Sequence, residues 1–112
     1  MAKAELAGAR QRRKLMAENS PRLGEVARAY LEAGRLGEAL ECLESSRDAG
    51  LLKELAAKAR GEGDFWAFRQ AYRLLGEEMP AGELEELARR AQSLGKEAYA
   101  RAADQAGQEP EA

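Results

Sequence analysis

The chain has no histidine, which removes the commonest general base and the commonest metal ligand at neutral pH. Its single cysteine, Cys42, falls in a helical pattern beside Leu40 and Leu43. A thiol needs a neighbouring base or cation to become a nucleophile, so Cys42 reads as a small, half-buried apolar residue. The aspartates Asp48, Asp64 and Asp104 are scattered, and the pairs Glu77–Glu78 and Glu85–Glu86 read as solvated helix surface. No glycine-rich phosphate loop and no cluster with metal-ligand spacing occurs. The expectation is a protein that is not an enzyme and needs neither cofactor nor metal. What remains is rows of charged side chains, which is the chemistry of recognition.

The densest row is Arg10-Gln11-Arg12-Arg13-Lys14. It gives residues 1–14 a net charge of +4 within a chain of net charge −2, so the remainder sums to −6. Basic clusters bind phosphates by releasing counterions. Arg10, Arg12, Arg13 and Lys14 are therefore candidate contacts to nucleic acid. They could equally dock on the acidic surface of a larger assembly, making this chain a small accessory subunit. The overall charge is too small to argue for nucleic acid or a membrane across the whole chain.

These side chains must be positioned by helices. There is one valine and neither isoleucine nor threonine, while Ala, Leu, Glu and Arg dominate, which favours helices over strands. Glycine and proline supply the punctuation. Ser20 reads as an N-cap with Pro21 in the first helical turn. Leu23, Val26, Ala27, Tyr30 and Leu31 then recur at three- and four-residue spacing up to Gly34. Leu36, Ala39, Leu40 and Leu43 share one face of the next helix, before a break at Gly50. Leu52, Leu55, Ala56 and Ala59 follow, ending at Gly61-Glu62-Gly63, and Asp64 reads as the N-cap of a helix with Phe65, Phe68, Tyr72 and Leu75. After Gly76 and Pro80 come Leu84, Leu87, Ala88, Ala91 and Leu94, then Gly95 and a last helix with Ala98, Tyr99, Ala100, Ala103 and Ala106 as its apolar surface. About seven helices of roughly 10 to 17 residues result, and their short connections imply antiparallel hairpins. Residues 2–18 carry few apolar positions and predict either a weakly packed helix or a frayed arm.

The pattern repeats. Relative to Gly34, Gly63 and Gly95, the eighth residue before is Val26, Leu55 and Leu87, and the seventh is Ala27, Ala56 and Ala88. The fourth before is Tyr30, Ala59 and Ala91, the fifth after is Ala39, Phe68 and Ala100, and the ninth after is Leu43, Tyr72 and Asp104. Small residues stand where two helices would cross closely, and larger ones fill the space to the next pair.

In order and spacing these residues resemble the tetratricopeptide repeat, a hairpin of about 34 residues. The glycine spacings here are 29 and 32. Val26, Ala27, Tyr30, Gly34, Ala39 and Leu43 carry the resemblance most fully, and Pro80 stands where the family often places a proline. The resemblance implies an all-α fold, with antiparallel hairpins stacked as a short right-handed α-solenoid. The units would span 20–48, 49–79 and 80–107, preceded by a basic helix or arm at 1–19 and followed by an acidic, disordered tail at 108–112. It also implies a groove lined by the first helix of each pair, where a protein or peptide binds. The outward positions there are Arg28 and Glu32, then Lys53, Ala57 and Arg60, then Glu85, Arg89 and Gln92. Four cations against two acids favour a partner that carries carboxylates. The family's groove site for a terminal carboxylate needs asparagine where Arg28 and Ala57 stand, so that specificity is not implied.

Phe65, Phe68 and Tyr72 share a helix face and read as core, whereas Trp66 points away, beside Arg69, Gln70 and Arg73. It would pack on a neighbouring helix or anchor another protein, a second copy included. Unpaired solenoid ends make self-association a further expectation. A lone cysteine and the lack of an apolar leader or of a membrane-length apolar run predict a cytoplasmic protein. The excess of Arg over Lys suits a thermophile or a GC-rich genome equally.

Overall fold

A computed structural model describes residues 8–18 and 20–108. Residues 1–7, Asn19 and the acidic tail from Glu109 onward lie outside the described residues, so the arm and tail expectations fall largely there. The described chain is all-helical: α1 (Ala9–Ala17), α2 (Leu23–Glu32), α3 (Leu36–Ser46), α4 (Ala49–Glu62), α5 (Phe65–Leu75), α6 (Ala81–Ser93) and α7 (Glu97–Gln108). None of the helices is long and apolar enough to cross a membrane.

Glycine ends these helices where its lack of a Cβ allows a left-handed residue. Gly34, Gly63, Gly76 and Gly95 all have φ between +67° and +76°. Asp64 caps α5 as expected, its carboxylate accepting the Ala67 N–H at 3.1 Å. Two boundaries differ from the expectation. The break placed at Gly50 falls instead at Arg47 (φ +55°) and Asp48, whose carboxylate accepts the Leu51 N–H at 3.1 Å and starts α4 ahead of the glycine. Helix α2 begins at Leu23, and Ser20 Oγ accepts the Arg22 N–H at 3.2 Å in the turn before it.

The helices pack most closely in consecutive pairs, α2 on α3, α4 on α5 and α6 on α7. Between pairs α2 meets α4 and α4 meets α6, while α3 meets α5 and α5 meets α7. Helix α1 lies against α2 and α3, held by the buried Leu15 and the half-buried Met16. The radius of gyration is 14.7 Å.

Each position in the glycine-anchored register is buried except Asp104. Tyr30, Ala59 and Ala91 are fully buried, as are Ala39 and Phe68. The end of the row is looser than expected: Leu94 and Tyr99 are exposed, at 47% and 37%, as is Ala98. No later helix covers α7 among the described residues.

Candidate partner-binding face

Because α4 packs between α2 and α6, the outward residues of all three form one face. Arg28, Glu32, Lys53, Ala57, Glu85, Arg89 and Gln92 are all exposed on it, and Arg60 is half-buried. The three helices that carry these residues pack side by side. The residues' charges, however, are partly paired with neighbouring acids outside the set.

Arg28 of α2 lies 3.3 Å from Glu54 of α4, and Lys53 lies 3.7 Å from Glu77 beyond α5. Both pairs are about half exposed, where an ion pair contributes at most ~1 kcal/mol and competes poorly with an incoming carboxylate. Arg60 is held more firmly. Its Nη1 donates to Glu83 Oε1 at 2.7 Å and its Nε lies 3.0 Å from Glu86, so one guanidinium joins α4 to two acids of α6. Tyr72 completes the group, its hydroxyl 3.5 Å from both Glu83 oxygens. Burial, and then the Glu83 carboxylate, push the Tyr72 hydroxyl above its ordinary range. The side chains of Glu32, Arg89 and Gln92 have no polar partner among the described residues.

At one end of this face a pocket of about 330 Å³ opens between α4 and α6, lined by Arg60, Gly61, Glu86, Arg89, Arg90 and Ser93. Its floor is the C-terminus of α4, whose last carbonyls are all satisfied. Those of Ala59 and Arg60 accept from the turn residues Asp64 and Gly63. Those of Gly61 and Glu62 accept from Arg90 Nε at 2.8 Å and Lys96 Nζ at 2.7 Å, side chains supplied by the following helix pair. Placing cations at the negative end of the α4 dipole stabilises the helix and ties the second pair to the third. Nothing in local spacing announces Arg90 and Lys96 as caps, because they lie 29 and 34 residues from the carbonyls they serve.

Of the basic cluster, Arg10, Arg13 and Lys14 are exposed on the outer side of α1, but Arg12 turns inward. Its Nη1 donates to the buried Tyr30 hydroxyl at 3.0 Å. Its Nε lies 2.5 Å from Glu41 of α3, an ion pair that ties α1 to α3. Burial works against the guanidinium's charge, yet its contacts with Tyr30 and Glu41 outweigh this and raise its pKa. With 13% of its side chain exposed, Arg12 is a bracket for α1, not a contact offered to an outside partner. Trp66 is 44% exposed on α5, so it neither packs fully against a neighbour nor belongs to the α2–α4–α6 face.

Cys42 is fully buried, and burial pushes its thiol up to about 11, with Arg12 pulling it down and Glu41 up. The native thiol therefore carries roughly a hundredfold less thiolate at pH 8 than a thiol of ordinary pKa 9.0. A disulfide reagent at pH 8 should react with the native protein at least that much more slowly than with the denatured chain. Equal rates would contradict the burial of Cys42. Since the folded value is the higher one, the protonated thiol's share of stability is whole below pH 9 and is lost as pH rises through about 11.

Comparison with protein-family models, with curated proteins and with solved structures gave no match to this chain.

Proposed function

We propose that this chain is a non-catalytic protein-interaction scaffold whose partner, a protein or peptide, lies along the face shared by α2, α4 and α6. The observation that carries this reading is the side-by-side packing of those three helices, which sets Arg28, Glu32, Lys53, Arg89 and Gln92 on one exposed surface. Hairpins stacked as in the tetratricopeptide repeat, a short right-handed solenoid of three units, are the architecture that such packing and the glycine-anchored register support. Ion pairs between half-exposed partners leave the cations able to exchange an internal carboxylate for an external one. An extended segment with a few carboxylates therefore suits the face.

The test is charge reversal at two cations whose ion pairs are half exposed and weak. Arg60→Glu would set like charges beside Glu83 and Glu86 and loosen the α4–α6 contact, so its effect on binding would be ambiguous. Arg28→Glu with Lys53→Glu alters two exposed positions and should leave helicity unchanged. A partner captured from the source cell should bind the double variant at least tenfold more weakly. Undiminished binding by a helical, folded variant removes the face from the account.

A second reading rests on Arg10, Arg13 and Lys14, three exposed cations on one helix with no ion pair among the described residues. They suit docking on an acidic assembly or a nucleic acid, and would make this chain an accessory subunit.

A further inference from the structure

We infer that the pocket between α4 and α6 is a binding site for a phosphoryl group carried by a protein partner. The inference rests on the scaffold reading and concerns one end of the same face, but it is tested separately. Three arginines line this pocket, Arg60 of α4 and Arg89 and Arg90 of α6, while Glu83, a further partner of Arg60, lies outside the lining. The only acid in the lining is Glu86, so the lining itself carries a net charge of +2. That is the complement of a phosphoryl dianion, and guanidinium forks match phosphoryl oxygens in geometry as well as charge.

The three arginines differ in how far they are committed. Arg60 is held by Glu83 and Glu86 through Nη1 and Nε. Arg90 uses Nε on the Gly61 carbonyl, which fixes the stem and leaves its terminal nitrogens for a ligand. Arg89 has no polar partner among the described residues and is exposed, so it can close over a bound group. Two preset guanidiniums and one mobile one make a receptor that needs little reorganisation. The α4 C-terminus would repel an anion, but Arg90 and Lys96 already neutralise its last carbonyls. Ser93 donates its hydroxyl proton to the Arg90 carbonyl and so offers the ligand no donor.

The absence of histidine gives the site a signature. A phosphoserine dianion takes up a proton near pH 6 and becomes a monoanion. With no histidine in the chain, a loss of affinity across that range reports the ligand's own proton and points to the dianion as the bound form.

The experiment is a titration of the full chain, followed by the arginine Nε–H and backbone amide resonances, at constant ionic strength. The probes are inorganic phosphate, acetyl-Ala-phosphoSer-Ala-amide and acetyl-Ala-Glu-Ala-amide. Both phosphate probes should shift the Arg89 and Arg60 resonances saturably, and the glutamate peptide should do so at least tenfold more weakly. Binding of the phosphopeptide should weaken as pH falls through about 6. Arg89→Gln should lower phosphopeptide affinity tenfold or more, and Glu86→Gln should raise it severalfold. Equal binding of the glutamate peptide would overturn the assignment in favour of a carboxylate site. So would the absence of a saturable shift, or an affinity indifferent to Arg89→Gln. A captured partner that depends on Arg28 and Lys53 but not on Arg89 would leave the scaffold standing and remove the phosphoryl site.

Discussion

Gly63→Ala should lower the unfolding free energy by about 3 kcal/mol, more than any other single methyl addition at these turns. Two effects combine at this position. The residue has φ +67°, where a side chain costs ~1–2 kcal/mol. A Cβ built there would also stand 2.6 Å from Ala91 Cα and 2.8 Å from its nitrogen. Those are backbone atoms of α6 and cannot rotate away, so the α4–α5 turn and α6 must part, at a further 1–3 kcal/mol. Gly95→Ala is the control. It shares the left-handed conformation at φ +76°, but nothing lies within 4 Å of its Cβ position, so only ~1 kcal/mol is expected. Denaturant unfolding of both variants measures the difference. Equal losses would mean that the turn and α6 are not in contact as described.

Tyr30→Ala should be at least as damaging, by about 3 to 5 kcal/mol, because the ring is fully buried and its removal leaves a cavity between α2 and its neighbours. The loss goes beyond packing. Arg12 and Arg35 lie 5.6 Å and 5.4 Å from the ring centroid, and the hydroxyl accepts the Arg12 bond that brackets α1. Tyr30→Phe keeps the ring and removes that bond, so it should cost ~1 kcal/mol and loosen α1 selectively. Amide exchange in Ala9–Ala17 reads the second effect apart from global stability. If Tyr30→Ala lost less than 1 kcal/mol, Tyr30 would not be the centre of the first helix pair.

The fold was legible because one kind of signal was repeated. Three turn glycines set a common register, and Val26, Leu55 and Leu87 at one offset, with Ala27, Ala56 and Ala88 beside them, are all buried. Where the register failed, the reason is physical. Gly50 looked like a break, but Asp48 supplies a cap two residues earlier, and a glycine is tolerated in a first turn that a side chain has already nucleated. Leu94 and Tyr99 have the right spacing for a core but stand on the last pair, which no later helix covers among the described residues.

The site was legible only in outline. Periodicity placed Arg28, Lys53, Arg60 and Arg89 on one side, because outward direction is a local property. Which of them carries a counter-charge is decided by long-range packing. Arg60 meets Glu83 and Glu86, more than twenty residues along the chain, and Arg12 crosses eighteen residues to reach Tyr30. Gly63 and Ala91 were each readable as small for a reason, but their contact appears only when α6 is laid against the α4–α5 turn.

The central claim is that a partner occupies the face shared by α2, α4 and α6. Its most direct measurement is the chemical-shift footprint of a captured partner on the isotopically labelled full chain. Perturbations should cluster at Arg28, Glu32, Lys53, Arg89 and Gln92, with the outer sides of α3, α5 and α7 unaffected. A footprint centred on Trp66 of α5, or on Arg10, Arg13 and Lys14 of α1, would contradict it.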